Sequence, residues 1–291
     1  MQFFDSPLVF YTANRQNRKI NPSKRHISVE IEVDSIGAKN DVTSVVRAWH
    51  GSIVEDGSLS DQGFEINMAP ASGDTFVDQV VSICRALNVG NATVDWRCGL
   101  HVHVDARDFN YYDVRRLVRV YAKLESVLFK MCDPSRRGGR YSQECGQKWL
   151  KRMCGTDKSY KAVKKRMIEG LYDITISSGR GSGMLINDNK KYKHHEARYN
   201  ALNVHSWFHR GTIECRIHEG TLDSTDIIAW GMLWAAIMDY AASRSDREIE
   251  DNLDNRVPMD VMKIVCMASP AGPWLWMYVH QRRNHWLERG L

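Results

Sequence analysis

Ile27-Ser28-Val29-Glu30-Ile31-Glu32-Val33 alternates without a break, with Ile27, Val29, Ile31 and Val33 at odd positions and Glu30 and Glu32 between them. A strand sends successive side chains to opposite faces, so this stretch predicts a β-strand with one apolar face and one carboxylate face. Three more stretches share the design. Gly63-Phe64-Glu65-Ile66 brings Glu65, and Gly99-Leu100-His101-Val102-His103-Val104-Asp105 sets His101, His103 and Asp105 opposite Leu100, Val102 and Val104. Thr212-Ile213-Glu214-Cys215-Arg216-Ile217-His218-Glu219 divides into a Glu214, Arg216, His218 row and an Ile213, Cys215, Ile217 row.

An exposed sheet face ordinarily carries Thr, Lys, Ser and Gln. These rows carry acid, histidine and arginine instead, the residue types that bind metals and phosphates. If they meet on one face, several carboxylates share one place at a cost of several kcal/mol per uncompensated charge, which divalent cations and an anionic ligand would relieve. One-sided alternation also favours an antiparallel sheet covered by helices over a parallel α/β sheet, so the predicted class is α+β.

The chain has 291 residues, 43% hydrophobic and 26% charged, as expected of a soluble globular protein. Residues 1–25 show no sustained period and read as an irregular lead-in. Residues 26–291 read as a single domain. The start lacks the basic and apolar regions of a signal peptide. The longest apolar run, Ile227 to Met238, is too short for a membrane span and reads as a buried helix. A cytoplasmic protein without membrane attachment is the expectation. Seven scattered cysteines without a CxxC pair indicate reduced thiols, with Cys215 a small core residue.

Helical spacing predicts helices over Val42–His50, Asp74–Leu87, Tyr111–Met131, Gln143–Met153, Tyr160–Leu171, Ser224–Ser243, Pro258–Ala268 and Pro273–Leu287. The net charge of +5 is unevenly placed: Lys130 to Arg198 holds 17 Lys/Arg against 7 Asp/Glu. This basic helical insertion, about 130–200, suits a nucleotide phosphate, an acidic substrate or a nucleic acid. Ser177-Ser178-Gly179-Arg180-Gly181-Ser182-Gly183 has the composition of a phosphate loop without the Walker Lys-Ser/Thr pair, and reads as a surface loop.

Taken in order, Glu30-x-Glu32, Glu55-Asp56-Gly57-Ser58 with Glu65, Gly99-Leu100-His101-Val102-His103-Val104, Arg198-Tyr199-x-x-Leu202-Asn203 and Thr212-Ile213-Glu214-x-Arg216-x-His218-Glu219-Gly220-Thr221 resemble the amidoligase family. That family belongs to the carboxylate-amine ligase superfamily of glutamine synthetase and glutamate-cysteine ligase. The resemblance spans roughly Ile27 to Trp234. It implies a strongly curved, mainly antiparallel sheet whose concave face holds ATP and magnesium, and a reaction through an acyl phosphate that joins a carboxylate to an amine.

The resemblance and magnesium's demand for oxygen ligands together assign Glu30, Glu32, Glu65 and Glu214 to metal. Arg216 becomes the guanidinium on the moving phosphoryl group. Either His101 or His103 binds a metal or touches the γ-phosphate, with Glu214, Arg216 and His103 forming the catalytic set. Arg198 and Asn203 fall to the substrate carboxylate or the phosphates, with Arg137 and Arg140 as further anion contacts. Asp56 is open between metal ligand and turn former, and similar alternatives attend His218 and Glu219. The expected partners are small-molecule or peptide carboxylates and amines. Two other readings compete. One is a binding module for nucleic acid or an acidic partner using the basic region, although Trp and Tyr are not interleaved there with Lys and Arg. The other is a divalent-metal hydrolase, which ordinarily uses more Asp and His ligands.

Overall fold

In the computed structural model, residues 24–37, 39–139, 142–172 and 195–289 are described. Most of the predicted lead-in, Arg140 and the loop from Ser177 to Gly183 lie outside the described residues. The strands are β1 (Ile27–Val33), β2 (Ser52–Val54), β3 (Phe64–Asn67), β4 (Gly99–Asp105), β5 (Leu202–Asn203) and β6 (Thr212–Glu219). They form an antiparallel sheet ordered β2-β3-β1-β4-β6-β5. The fold is α+β, as predicted.

The apolar rows lie inside. Ile27, Val29, Ile31 and Val33 are each at most 1% exposed, as are Leu100, Val102 and Val104. Helix α7 (Ser224–Ala242) crosses β1 and β4. It carries apolar residues around almost its whole circumference because neighbours surround it: α2 (Gly73–Val89), α3 (Tyr111–Phe129), α9 (Pro258–Met267) and α10 (Gly272–Glu288) pack against it. Gly231 permits the close approach of α7 to the sheet. A Cβ there would stand 3.0 Å from the Phe76 ring and 3.3 Å from Ile27.

The remaining helices among the described residues are α1 (Lys39–Ala48), α4 (Gly146–Met153), α5 (Tyr160–Tyr172), α6 (His205–Arg210) and α8 (Asp246–Leu253). Helices α4 and α5, from the basic region, pack on each other and on α3. Helix α3 starts at a reciprocal capping box between Asn110 and Asp113, which satisfies two backbone donors. Strand β2 and helices α6 and α8 are short and escaped the periodicity reading, since eight residues or fewer hold at most about two turns of pattern.

One departure in register matters. Val102 pairs with Cys215, but Leu100 pairs with His218, so Arg216 and Ile217 stand opposite His101 alone. This bulge shifts the alternation of β6 by one residue. Glu214 and Arg216 remain on the polar face, whereas His218 shares Leu100's face and meets Trp230 of α7, ring centroids 4.9 Å apart. The predicted Glu214, Arg216, His218 row is therefore corrected to Glu214 and Arg216.

Candidate active site

Antiparallel pairing assembles the polar rows. Glu30 of β1 lies across from His101 of β4, Glu32 across from Glu65 of β3, and His103 across from Glu214 of β6. Six of these side chains sit close together out of water: Glu30, Glu32, His101, His103, Glu214 and Arg216 are 4–8% exposed. The site is a strip across four adjacent strands.

Glu30 is its centre. His101 Nδ1 lies 3.2 Å from Glu30 Oε2, His103 Nε2 lies 3.1 Å from Oε1, and Arg210 Nη1 of α6 donates to Oε1 at 3.2 Å. Burial would raise the carboxyl pKa. The charge of His103 and hydrogen bonds from both imidazoles outweigh burial and hold Glu30 well below the usual carboxylate range. Glu214 behaves alike: the Arg216 guanidinium, bound directly to it, and His103 overcome desolvation and bring it to about 2. His103 is pulled in the opposite direction. Burial disfavours its cation, but Glu214 and Glu30 on either side raise its pKa. Its Nδ1 lies 3.1 Å from Thr212 Oγ1, which fixes the ring.

Glu65 is the exception among the carboxylates. Desolvation and the charge of Glu30 push it up to about 6, although Asn67 Nδ2 donates to it at 2.7 Å. Burial first and the Glu30 charge second thus disfavour a further carboxylate anion at the β1–β3 end of the strip. Donor atoms of Glu30, Glu65 and His101 lie within 4.8 Å of one another, as do those of Glu32, Asp56 and Glu65 and those of Glu30, His103 and Glu214. A donor set dominated by carboxylate oxygen fits a hard divalent cation such as magnesium. Asp56 serves its turn as well, since its Oδ1 accepts from Ser58 N at 2.8 Å.

The other predicted residues divide. Asn203 donates from Nδ2 to Glu214 Oε2 at 2.6 Å, and its Oδ1 accepts from Ser206 N at 3.1 Å. Arg198 lines a pocket of about 20 Å³ together with Glu30, Asn203, His209, Arg210 and Glu214. That volume suits roughly one water or ion. Arg137 is not brought to the site: it is exposed and paired with Glu144 at 2.6 Å. Asp105 turns instead to Arg107, whose Nε donates to it at 2.9 Å.

His218 and Glu219 join a separate buried cluster. Arg282 Nη1 donates to Asp226 Oδ2 at 3.0 Å, Tyr278 Oη donates to Asp226 Oδ1 at 2.7 Å, and Arg282 also pairs with Glu219.

Two site arginines escaped the sequence reading. Arg210 lies on the short helix α6. Arg136 lies in a 3-10 turn (Pro134–Arg136), where its Nη2 donates to the Arg216 carbonyl at 3.1 Å. It belongs to the same basic run as Arg137, but only the turn geometry shows which guanidinium points inward.

An antiparallel sheet bearing a buried strip of carboxylates, imidazoles and guanidiniums defines a candidate centre for cation-assisted chemistry on an anionic substrate. Residues 15–238 match the sequence model of the family described as "Putative amidoligase enzyme". The chain belongs to this amidoligase family, whose name denotes ligase chemistry. A crystal structure described as a novel glutamine synthase homolog is similar at 12% identity and a TM-score of 0.41, covering 97% of this chain and 70% of that one. No curated protein matches.

Proposed function

We propose that the protein is an ATP- and magnesium-dependent carboxylate-amine ligase acting on a small peptide, an amino acid or a protein side chain, with the polar sheet face as the concave wall of its site. The observation that carries this reading is the convergence of carboxylates at the β1–β3 end of the strip. Glu65 resists ionisation there while oxygen donors of three acidic side chains converge. Glu30, Glu32, Glu65 and Glu214 would hold magnesium, with His101 beside Glu30 and Glu32. When bound, magnesium neutralises phosphate oxygens and favours charge transfer to the leaving diphosphate.

In the proposed reaction a substrate carboxylate oxygen attacks the γ-phosphorus of ATP, and the bond to the ADP oxygen breaks. An amine nitrogen then attacks the acyl carbon of the resulting acyl phosphate. The carbon–oxygen bond to phosphate breaks, a proton leaves the nitrogen, and an amide, ADP and phosphate result. Phosphoryl transfer needs alignment and positive charge more than a protein nucleophile. His103, set between Glu30 and Glu214, supplies charge in this scheme and not a free base. Arg216, tied to Glu214, offers a planar guanidinium to the moving group. Arg198 and Asn203 contact anionic oxygens of the substrates.

Incubation of the protein with magnesium, ATP and a pool of amino acids and small peptides should release ADP and yield products one water lighter than their components by mass spectrometry. Hydroxylamine should trap the activated acid. Glu30→Gln, Glu32→Gln and Glu65→Gln should each abolish turnover in folded protein. Three variants with wild-type turnover would sink the metal-site reading, and absence of ADP release from any acid would sink the ligase reading.

A further inference from the structure

Gly99, the first residue of β4, lies under a convergence of charge. A Cβ at this position would stand 2.9 Å from Arg136 Nη2, 3.1 Å from His101 Nε2 and 3.4 Å from Glu32 Oε2. Glu32 Oε2 also accepts from Gly99 N at 2.6 Å. Arg136 therefore overhangs the Glu32 carboxylate and the His101 imidazole at the start of β4. Its commitments are few. Arg216 is paired with Glu214 and Arg210 with Glu30, whereas Arg136 forms no ion pair among the described residues. Its buried Nε has no hydrogen-bond partner.

The arginine is also firmly positioned. Asp133 Oδ1 accepts from Ser135 N at 2.8 Å and so caps the turn that carries Arg136. Asp133 N donates to Glu219 Oε2 at 3.0 Å, and Glu219 is held by Arg282 of α10. Arg282 lies beyond the part of the chain that matches the family. A guanidinium without an ion pair among the described residues, fixed beside oxygen and imidazole donors suited to cations, is arranged for a ligand that carries several anionic oxygens.

We propose that Arg136 binds the terminal phosphoryl oxygens of the nucleotide, and that the turn holding it is anchored by the C-terminal helix through Glu219. The assignment rests on the ligase reading above and adds a residue to it. Isothermal titration of full-length wild type, Arg136→Met and Arg136→Lys with Mg·ATP and with Mg·ADP tests it, thermal midpoints serving as the control for folding. Arg136→Met should weaken Mg·ATP by about tenfold or more and Mg·ADP by less than about threefold, because only ATP carries the contacted group. Arg136→Lys, which keeps charge but loses the fork, should fall between. Equal weakening of both nucleotides, or of neither, overturns the assignment while leaving the ligase reading intact. Failure of wild type to bind Mg·ATP removes both.

Discussion

Glu65 exposes the energetic tension of the site at the scale of one residue. Its carboxyl is raised from an ordinary 4.5 to about 6 by desolvation first and by Glu30 second. The folded state therefore holds a proton that the unfolded chain releases between those two values. Stability falls as pH rises through that window. Below about 4.5 both states are protonated and nothing is lost, while above about 6 the cost is complete, up to about 2 kcal/mol. Glu65→Gln keeps an oxygen for Asn67 and removes the charge. In metal-free buffer the variant should be more stable than wild type by up to about 2 kcal/mol at pH 8 and no different at pH 4.5, read by urea unfolding. Magnesium at pH 8 should close the gap, because only wild type gains its full ligand set. A gap that does not depend on pH would mean that Glu65 is not the strained charge.

Strand β4 raises a question at the scale of the element, since it begins with a glycine where a side chain would ordinarily favour extended structure. Gly in a strand interior is unfavourable by roughly 0.5–1 kcal/mol relative to Ala. Gly99 adopts no left-handed backbone conformation, so the requirement is for space. Gly99→Ala should leave the fold intact, yet its methyl would meet Arg136 Nη2 and crowd Glu32. The expected result is an unchanged or slightly raised melting temperature with Mg·ATP binding weakened by about tenfold, measured by titration calorimetry. Unimpaired binding would show that Arg136 and Glu32 can shift without consequence. The bulge in β6 is the other feature at this scale. The strict alternation of Glu214, Arg216 and His218 predicts one face, but an extra residue opposite His101 turns His218 to the helices. Nothing local in Cys215-Arg216-Ile217-His218 marks that shift, because it is set by pairing with β4.

Across the whole molecule, α10 joins the core to the site through Arg282. Asp226 is buried and Glu219 half-buried, and desolvation would raise both, yet Arg282 and His218 hold both below their ordinary range. Their contribution to stability is present above about pH 4 and is lost as pH falls through the folded values. Arg282→Met leaves buried Asp226 and half-buried Glu219 without their cation and should cost about 3–5 kcal/mol near neutral pH. The cost should shrink as pH falls, because without Arg282 the buried acids take up protons in the folded variant before they do in the folded wild type, and urea unfolding at about pH 7 and about pH 3 checks this. An equal loss at both would assign Arg282 to packing alone. The sequence by itself determined four of the six described strands, most of their polar and apolar faces and the longer helices, because period-2 and period-3.6 patterns are local consequences of backbone geometry. It also supplied the family resemblance and nearly every acid and imidazole of the strip. Only the tertiary structure decided that Arg136 and not Arg137 faces the strip, that Arg210 reaches Glu30 from α6, and that His218 leaves the row for the cluster around Arg282. Each depends on a turn, a register or a partner far away in the chain, and a local pattern carries no record of distant contacts.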